Sequence, residues 1–216
     1  MEQFIRPYQF NIVKNELARL LQVVYFVGDY RVYATTKLMV VDKIMSLFPD
    51  ISSDQASLFK GIEDIKGQKE LNACLDHLKP YVIPFPRLTL DEVKKLFKKD
   101  KRFSPPDLGQ IEWTHLIYLG WRDVKTHSIY FVYPYLGEMV GVKSKYLACD
   151  DTKQGTCSLC HGALKGSEVG LLVARTRSAA YKSVGNYMCL DSNACNQRLK
   201  AVEPLESFLT KVMSTR

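Results

Sequence analysis

The stretches that decide the fold of this chain are Cys157-Ser-Leu-Cys160 and Cys189-Leu-Asp-Ser-Asn-Ala-Cys195. Two thiolates held two residues apart on a tight turn can bind one tetrahedral ion, and a second pair from elsewhere completes the four ligands. The wider second pair suits a third ligand at a strand end and a fourth on the first turn of the following helix. This is the treble-clef arrangement, so we predict one structural Zn²⁺ held by Cys157, Cys160, Cys189 and Cys195.

Other uses of the cysteines have to be weighed against zinc. Buried free thiols are one alternative, and disulfides are another if the chain were secreted. The N-terminal residues lack a basic flank followed by an apolar stretch, so we expect no signal peptide and a reducing, cytoplasmic location. A redox Cys-x-x-Cys pair requires a preceding strand and a helix that begins at the pair, whereas turn residues, Gly155 and Gly162, flank this one. His161 could replace a cysteine only with strain, because it is adjacent to Cys160.

The charge of the chain is unevenly distributed. Residues 1–85 carry ten basic and ten acidic side chains, whereas residues 86–216 carry twenty basic and thirteen acidic ones, so the net charge of +7 lies in the second part. This asymmetry predicts an acidic partner for the second part, either a nucleic acid or an acidic protein surface; a solvated basic face is the plainer alternative. No apolar run approaches the roughly 20 residues that a membrane span needs.

The sequence predicts an α+β protein of two domains. Residues 1–85 show apolar residues at three- and four-residue steps, which indicates a four-helix bundle whose third helix runs through Phe59, Ile62 and Ile65. Two prolines between Val82 and Pro86 oppose helix, so we place the boundary there and assign residues 86–216 to a C-terminal zinc-binding α/β domain with antiparallel strands.

Local signals divide the second domain further. Thr89 and Glu92 match a capping box, so a helix with a lysine-rich outer face begins there. Short β-branched and aromatic runs from residue 116 to 142 predict antiparallel strands, and two more strands lie between the cysteine pairs. We expect a helix from Asn196 to Val202 and a last amphipathic helix after Pro204, with Leu205, Phe208, Leu209 and Val212 on one side.

Several motifs together resemble a known family. Besides the helical bundle, the proline linker and the lysine-rich helix, the chain contains Gly120-Trp121, Cys157-x-x-Cys160, Gly185-Asn-Tyr187-Met-Cys189, Asp191-Ser192 and Cys195-Asn196. In these motifs, and over essentially its whole length, the chain resembles the elongation factor G-binding proteins. That family includes the FusB/FusC-type fusidic acid resistance proteins.

The resemblance implies a function. Members of the family are non-enzymatic proteins that bind elongation factor G and release it from ribosomes on which fusidic acid has trapped it. It also implies that the C-terminal domain contacts the partner, and it makes Tyr187 and Phe208 the candidate aromatic contacts. Arg175, Arg177 and Lys182 would then supply charge complementarity. Packing inside the domain remains the alternative for both aromatic residues.

Two other functions are weighed against this one. A zinc-finger protein that binds RNA or the ribosome, without affinity for elongation factor G, would also use the excess of basic residues. An enzyme is disfavoured, because the chain lacks Gly-x-Ser-x-Gly, His-Glu-x-x-His, Gly-x-x-x-x-Gly-Lys-Ser/Thr and Gly-x-Gly-x-x-Gly. We therefore expect a monomeric binding protein that has no catalytic residues and makes a possible contact with ribosomal RNA.

Overall fold

The computed structural model describes residues 1–26, 29–152, 154–177 and 182–214, without the side chain of Tyr30. The chain divides into two compact units, Met1–Ile83 and Pro84–Arg216, which are described separately. In the described residues, no helix combines the length and the apolar character required to cross a membrane.

The first unit is helical. Its longer helices pack their apolar stripes together, and the buried residues include Phe10, Leu17, Ile44 and Leu75. The α-helices are α1 (Pro7–Phe26), α2 (Tyr30–Ser46), α3 (Ser53–Ser57) and α4 (Gln68–Leu78).

The third helix is shorter than the sequence predicts. It begins at a capping box formed by Ser52 and Gln55 and already ends at Ser57. Gly61 then adopts a φ of 84°, a left-handed conformation that interrupts a helix and that glycine adopts without steric cost. A separate 3₁₀ turn, Ile62–Asp64, follows. The buried residues Phe59, Ile62 and Ile65 therefore reach the core from turns rather than from one helix.

The second unit is built on an antiparallel five-stranded sheet in the order β1-β2-β3-β6-β7, with a separate β4–β5 hairpin. The predicted α+β fold class is confirmed. The strands are β1 (Leu119–Asp123), β2 (Ser128–Tyr135), β3 (Glu138–Ala148), β4 (Gln154–Thr156), β5 (Ala163–Lys165), β6 (Val169–Arg175) and β7 (Ser183–Cys189). The helices are α5 (Leu90–Leu96), α6 (Ser192–Arg198) and α7 (Glu203–Met213).

Helix α5 covers one face of the sheet over β1, β2 and β3. It begins at the predicted capping box of Thr89 and Glu92. Its apolar side packs against buried residues of these strands, including Leu119, Tyr130 and Val132. Close packing requires Gly141 on β3, because a Cβ atom there would lie 2.8 Å from the Phe97 ring.

Helix α7 covers the opposite face. The ring of Phe208 lies 6.2 Å from that of Phe131 on β2, and the Tyr133 hydroxyl donates a 2.7 Å hydrogen bond to Glu206. Strand β2 is therefore covered on both faces, which explains why its residues from Ser128 to Tyr133 are all buried instead of alternating.

Helix α6 begins earlier than the sequence predicts. We expected a helix from Asn196 to Val202, but α6 spans Ser192–Arg198. The reason is the Asp191 carboxylate, which accepts hydrogen bonds from the backbone N–H groups of Asn193 and Ala194 and so caps the helix before Cys195.

Candidate metal centre and partner face

The four cysteines of the two sequence pairs meet in the second unit. Cys157 and Cys160 lie on the turn that follows β4, Cys189 is the last residue of β7, and Cys195 lies in the first turns of α6. The turn is closed by backbone hydrogen bonds, from His161 N–H to the Cys157 carbonyl at 2.9 Å and from Cys157 N–H to the Gly162 carbonyl at 3.2 Å. Strand end, turn and helix thus direct four thiols at one point.

The spacing of the sulfur atoms fits a tetrahedral zinc ion. All four Sγ atoms lie within 4.8 Å of one another. The Cys157–Cys195 and Cys160–Cys189 Sγ–Sγ distances are 3.9 and 3.6 Å. A tetrahedron with Zn–S bonds of about 2.3 Å has sulfur atoms about 3.8 Å apart. The donor set is therefore that of a closed structural site, with no position left for substrate.

The cluster depends on positive charge. Hydrogen bonding with Cys157 lowers the pKa of the Cys160 thiol and raises that of the Cys195 thiol. Four thiolates in this volume repel one another unless a cation neutralises them. The Arg198 guanidinium supplies part of that charge and donates to Cys189 Sγ at 3.6 Å.

Asn196, the residue after Cys195, joins helix α6 to the segment that enters β1 through hydrogen bonds. The buried side-chain oxygen of Asn196 accepts hydrogen bonds from the backbone N–H groups of Ile117 and Tyr118 at 2.7 and 3.1 Å. Its amide nitrogen donates to the Tyr118 carbonyl at 3.0 Å. Asn196 therefore fixes Cys195 relative to the chain that enters β1.

Other histidine and cysteine side chains lie outside the cluster. Within the described residues, the grouped metal-binding side chains are the four cysteines. His161 is exposed and its backbone has a φ of 55°, so it contributes a left-handed backbone conformation to the turn and no metal ligand. Cys74 packs against the core of the first unit, and burial raises its thiol pKa.

The predicted partner contacts differ in their exposure. Tyr187 is 53% exposed in the middle of β7. Arg175 and Lys182 are exposed at the ends of the β6–β7 hairpin, where the Thr176 N–H donates to the Lys182 carbonyl at 2.9 Å. Arg177 is also exposed, and its backbone N–H bonds to the Val212 carbonyl of α7.

Phe208 does not belong with these contacts. It is 1% exposed, and its ring packs against Phe131 beneath α7. A side chain buried in this way presents no surface to a partner. Its burial favours the alternative of packing in the core beneath α7, and the contact of Phe208 with a partner stays a prediction.

The structure adds exposed apolar residues that the sequence did not indicate. Residues paired directly across antiparallel strands project from the same face. Leu147 pairs with Leu171 and Leu171 with Tyr187, and the neighbouring row contains Lys145, Val173 and Gly185. Leu147 is 72% exposed and Val173 36%. We call the surface of Leu147, Leu171, Val173, Arg175 and Tyr187 the open sheet face.

The open sheet face escaped the sequence analysis because exposure of a strand face is a tertiary property. The apolar run from Val169 to Ala174 lacks the alternation of a half-exposed strand. It is typical of a strand covered on both faces. The local sequence therefore carried no signal of this exposed face.

Order of elements and cysteine geometry define a protein with a helical unit followed by a treble-clef zinc finger. Residues 94–212 match the family model described as the FBP C-terminal treble-clef zinc-finger, and residues 4–86 match that of the elongation factor G-binding protein, N-terminal. The chain belongs to the family of elongation factor G-binding proteins. The predicted recognition and the predicted cofactor, one structural zinc ion, are confirmed.

A solved structure extends the comparison to the whole chain. "Structure of the fusidic acid resistance protein FusC" is similar to this chain with a TM-score of 0.81 and 25% sequence identity, over 97% of each chain. No curated protein sequence matched the chain.

Proposed function

We propose that this chain binds elongation factor G through the open sheet face and promotes its release from the ribosome, which protects translation from fusidic acid. The observation that carries the proposal is the row of exposed Leu147, half-buried Leu171 and exposed Tyr187, which no helix covers in the described residues. Exposed contiguous apolar surface rimmed by polar residues is typical of interaction sites. The family and the likeness to FusC support elongation factor G as the partner.

The chemistry of this face suits a protein partner. Tyr187 offers a large ring with few rotatable bonds, the type of side chain that carries much of the binding free energy in interfaces. Leu147 and Val173 flank it and would exclude water around the anchor. Arg175, Arg177 and Lys182 lie exposed at one end and would orient an acidic surface and raise its association rate.

In this proposal the zinc ion has a positioning role. Cys157, Cys160, Cys189 and Cys195 are its ligands. Ser158, on the turn between the first two, donates to the Tyr187 carbonyl from its backbone N–H at 2.8 Å and from its hydroxyl at 2.6 Å. A folded zinc turn therefore holds the β7 segment that presents Tyr187, while the metal takes no part in chemistry.

The proposal assigns the parts of the chain as follows. Residues 86–216 contact elongation factor G, residues 1–85 form a separate helical domain, and the protein acts as a cytoplasmic monomer without a catalytic step. A binder releases elongation factor G from the ribosome only if it prefers the departing factor, because an equilibrium shifts by the difference in affinity between two states. The drug can then remain chemically intact.

Calorimetric titration of the zinc-loaded chain into elongation factor G tests the binding step. We expect a one-to-one complex, and Tyr187→Ala should raise its Kd about tenfold or more, as for an interface anchor. Tyr25→Ala is the matched control, because Tyr25 is 60% exposed and lies in the first unit. It should leave Kd unchanged. No heat and no co-elution for the wild-type chain would refute the proposal.

Release is tested separately on ribosomes stalled with fusidic acid. Adding the wild-type chain should move elongation factor G from the ribosomal pellet to the supernatant, and Tyr187→Ala should lose this effect in proportion to its loss of affinity. Normal binding without any transfer to the supernatant would contradict the release step alone.

A further inference from the structure

The second unit contains a groove of about 1000 Å³ between the C-terminal ends of α5 and α7. Strand β3 contributes Gly141, Val142 and Lys143 to its lining. Its basic residues come from α5, the segment after α5, β3, and β6 with the residues that follow. They are Lys95, Lys98, Lys99, Lys143, Arg175 and Arg177. We call this surface the basic groove.

The path of β6 explains why the basic groove is open. Pairing between β3 and β6 ends at Ser144 and Ala174, although β3 extends back to Glu138. Beyond this point the backbone N–H of Arg177 donates to the Val212 carbonyl at 2.9 Å, so the chain has turned towards α7. The basic groove therefore remains open beside the first half of β3, and Arg175 and Arg177 lie at its edge.

The positive charge of the groove is mostly uncompensated. Asp100 is the acidic residue in the described lining, and its carboxylate accepts hydrogen bonds from Lys143 at 2.5 Å and from the Tyr130 hydroxyl at 2.8 Å. In the part of the chain that the structure describes, no carboxylate forms an ion pair with Lys98, Lys99, Arg175 or Arg177. All four side chains are exposed.

Helix electrostatics accounts for only part of this arrangement. The C-terminal end of a helix carries a partial negative charge that favours lysines near it, which suits Lys95 in the last turn of α5 and Lys98 just after it. Arg175 lies on a strand and Arg177 follows that strand, so neither stabilises its own helix end. The convergence of basic residues from four stretches calls for an external anion.

We propose that the basic groove binds the sugar–phosphate backbone of double-stranded RNA. Regularly spaced phosphates match several cations arranged along a trench, and each neutralised phosphate releases counterions, which drives binding. Among the described lining residues the aromatic one is Phe97, which is 6% exposed, so the groove offers no platform on which unpaired bases could stack. Recognition would then be of backbone and helix shape.

A protein partner fits the basic groove less well. The apolar residues of its lining are either buried, as Val142 and Val212 are at 4% and 3% exposure, or half-buried, as Leu96 and Met213 are, whereas an interface anchor needs fully exposed apolar surface. Apolar contact is instead available on the open sheet face. The RNA site and the proposed docking face for elongation factor G therefore differ in chemistry, although they share Arg175 and Arg177.

Fluorescence anisotropy with a labelled RNA duplex of about 16 base pairs, a length that double-stranded RNA-binding domains span, tests the proposal. The variant is the full chain with Lys98→Glu and Lys99→Glu, two residues that the docking face does not use. The matched control is Lys125→Glu with Lys200→Glu, which makes the same change in net charge at exposed positions outside the groove. Zinc content and tryptophan emission verify that both variants are folded.

We expect the wild-type chain to bind the duplex with an affinity that falls steeply with salt. The groove variant should lose about tenfold or more in affinity, and the slope of log K against log salt should decrease by about two, about one for each lysine. The control variant should remain within about twofold of the wild-type chain. Both variants should still bind elongation factor G, so failure here is distinguishable from failure of the proposed function.

Three results would overturn the proposal. The first is absence of duplex binding by the wild-type chain. The second is an equal loss in the groove and control variants, which would assign binding to overall charge. The third is unchanged RNA affinity in the groove variant together with slower association with elongation factor G, which would assign the groove to the protein partner.

Discussion

Separate alanine substitutions at Phe208 and Tyr187 distinguish a core residue from a surface contact in the same unit. Phe208→Ala removes a ring that is 1% exposed and leaves a cavity against Phe131. Truncations of this kind cost about 3 to 5 kcal/mol in the free energy of unfolding. Tyr187→Ala removes a side chain that is 53% exposed, so we expect a change within about 0.5 kcal/mol.

Tryptophan emission during urea unfolding measures this difference in the correct unit. The two tryptophans of the chain, Trp113 and Trp121, both lie in Pro84–Arg216, so the signal reports that unit. With a denaturant slope of about 2 kcal/mol per molar urea, a loss of 4 kcal/mol lowers the midpoint by about 2 M. Phe208→Leu keeps most of the buried volume and should cost about 1 kcal/mol.

The two variants should also differ in binding. Tyr187→Ala should weaken the complex with elongation factor G at unchanged stability. Phe208→Leu should bind like the wild-type chain wherever the unit is folded. The reasoning would be refuted by a Phe208→Ala variant that keeps its urea midpoint and its zinc but loses affinity, because that result describes an exposed contact.

Cys189→Ser should abolish the single zinc ion and the cooperative tryptophan transition while the helical signal of the first unit persists, because metal binding is coupled to folding; metal analysis that still finds one zinc per chain would contradict it. Burial alone would raise the pKa of Asp100, but hydrogen bonds from Lys143 and Tyr130 outweigh it and lower that pKa below 3.8. The stability that Asp100 contributes is therefore present above pH 3.8 and is lost as the pH falls through its lowered value. Asp100→Asn should flatten the dependence of the urea midpoint on pH below about pH 4, and an unchanged profile would count against this ion pair. Asn196→Ala should cost about 2 to 4 kcal/mol because it leaves the buried N–H groups of Ile117 and Tyr118 without an acceptor; equal urea midpoints for Asn196→Ala and the exposed control Asn193→Ala would exclude that role.

Features determined by a few neighbouring residues were predictable from the sequence. The cysteine spacing indicated the zinc finger, and the Thr89–Glu92 capping box placed the start of α5. The predicted start of α6 was wrong, although its signal is equally local. The Asp191 side chain caps the helix before Cys195, whereas the prediction began the helix after that cysteine.

Phe208 shows how periodicity and resemblance can disagree. The steps from Leu205 through Phe208 and Leu209 to Val212 indicate one apolar helix face, and all four residues are buried. Resemblance to the family assigned Phe208 to the surface instead. The hydrophobic periodicity predicted the burial of Phe208, because it expresses the physical requirement that α7 cover the sheet.

Surfaces assembled from distant stretches were not predictable. Leu147 becomes exposed because α5 ends over β3, and nothing in its own neighbourhood encodes that limit. The basic groove likewise combines residues from α5 to Arg177. The sequence showed that the excess of positive charge lies in the second unit. Only the path of β6 away from β3 brings these basic residues together in the basic groove.

The bonds of α6 and α7 to the sheet also determine the order in which the second unit can form during synthesis. The hydrogen bond of Tyr133 requires Glu206, which is synthesised 73 residues later, and that of the Ile117 N–H requires Asn196, 79 residues later. A nascent chain that has exposed β1, β2 and β3 to solvent thus still lacks both the cover of one sheet face and all four of the zinc-ligand cysteines. We therefore expect this unit to complete its folding and to bind zinc only after α6 and α7 have left the ribosome.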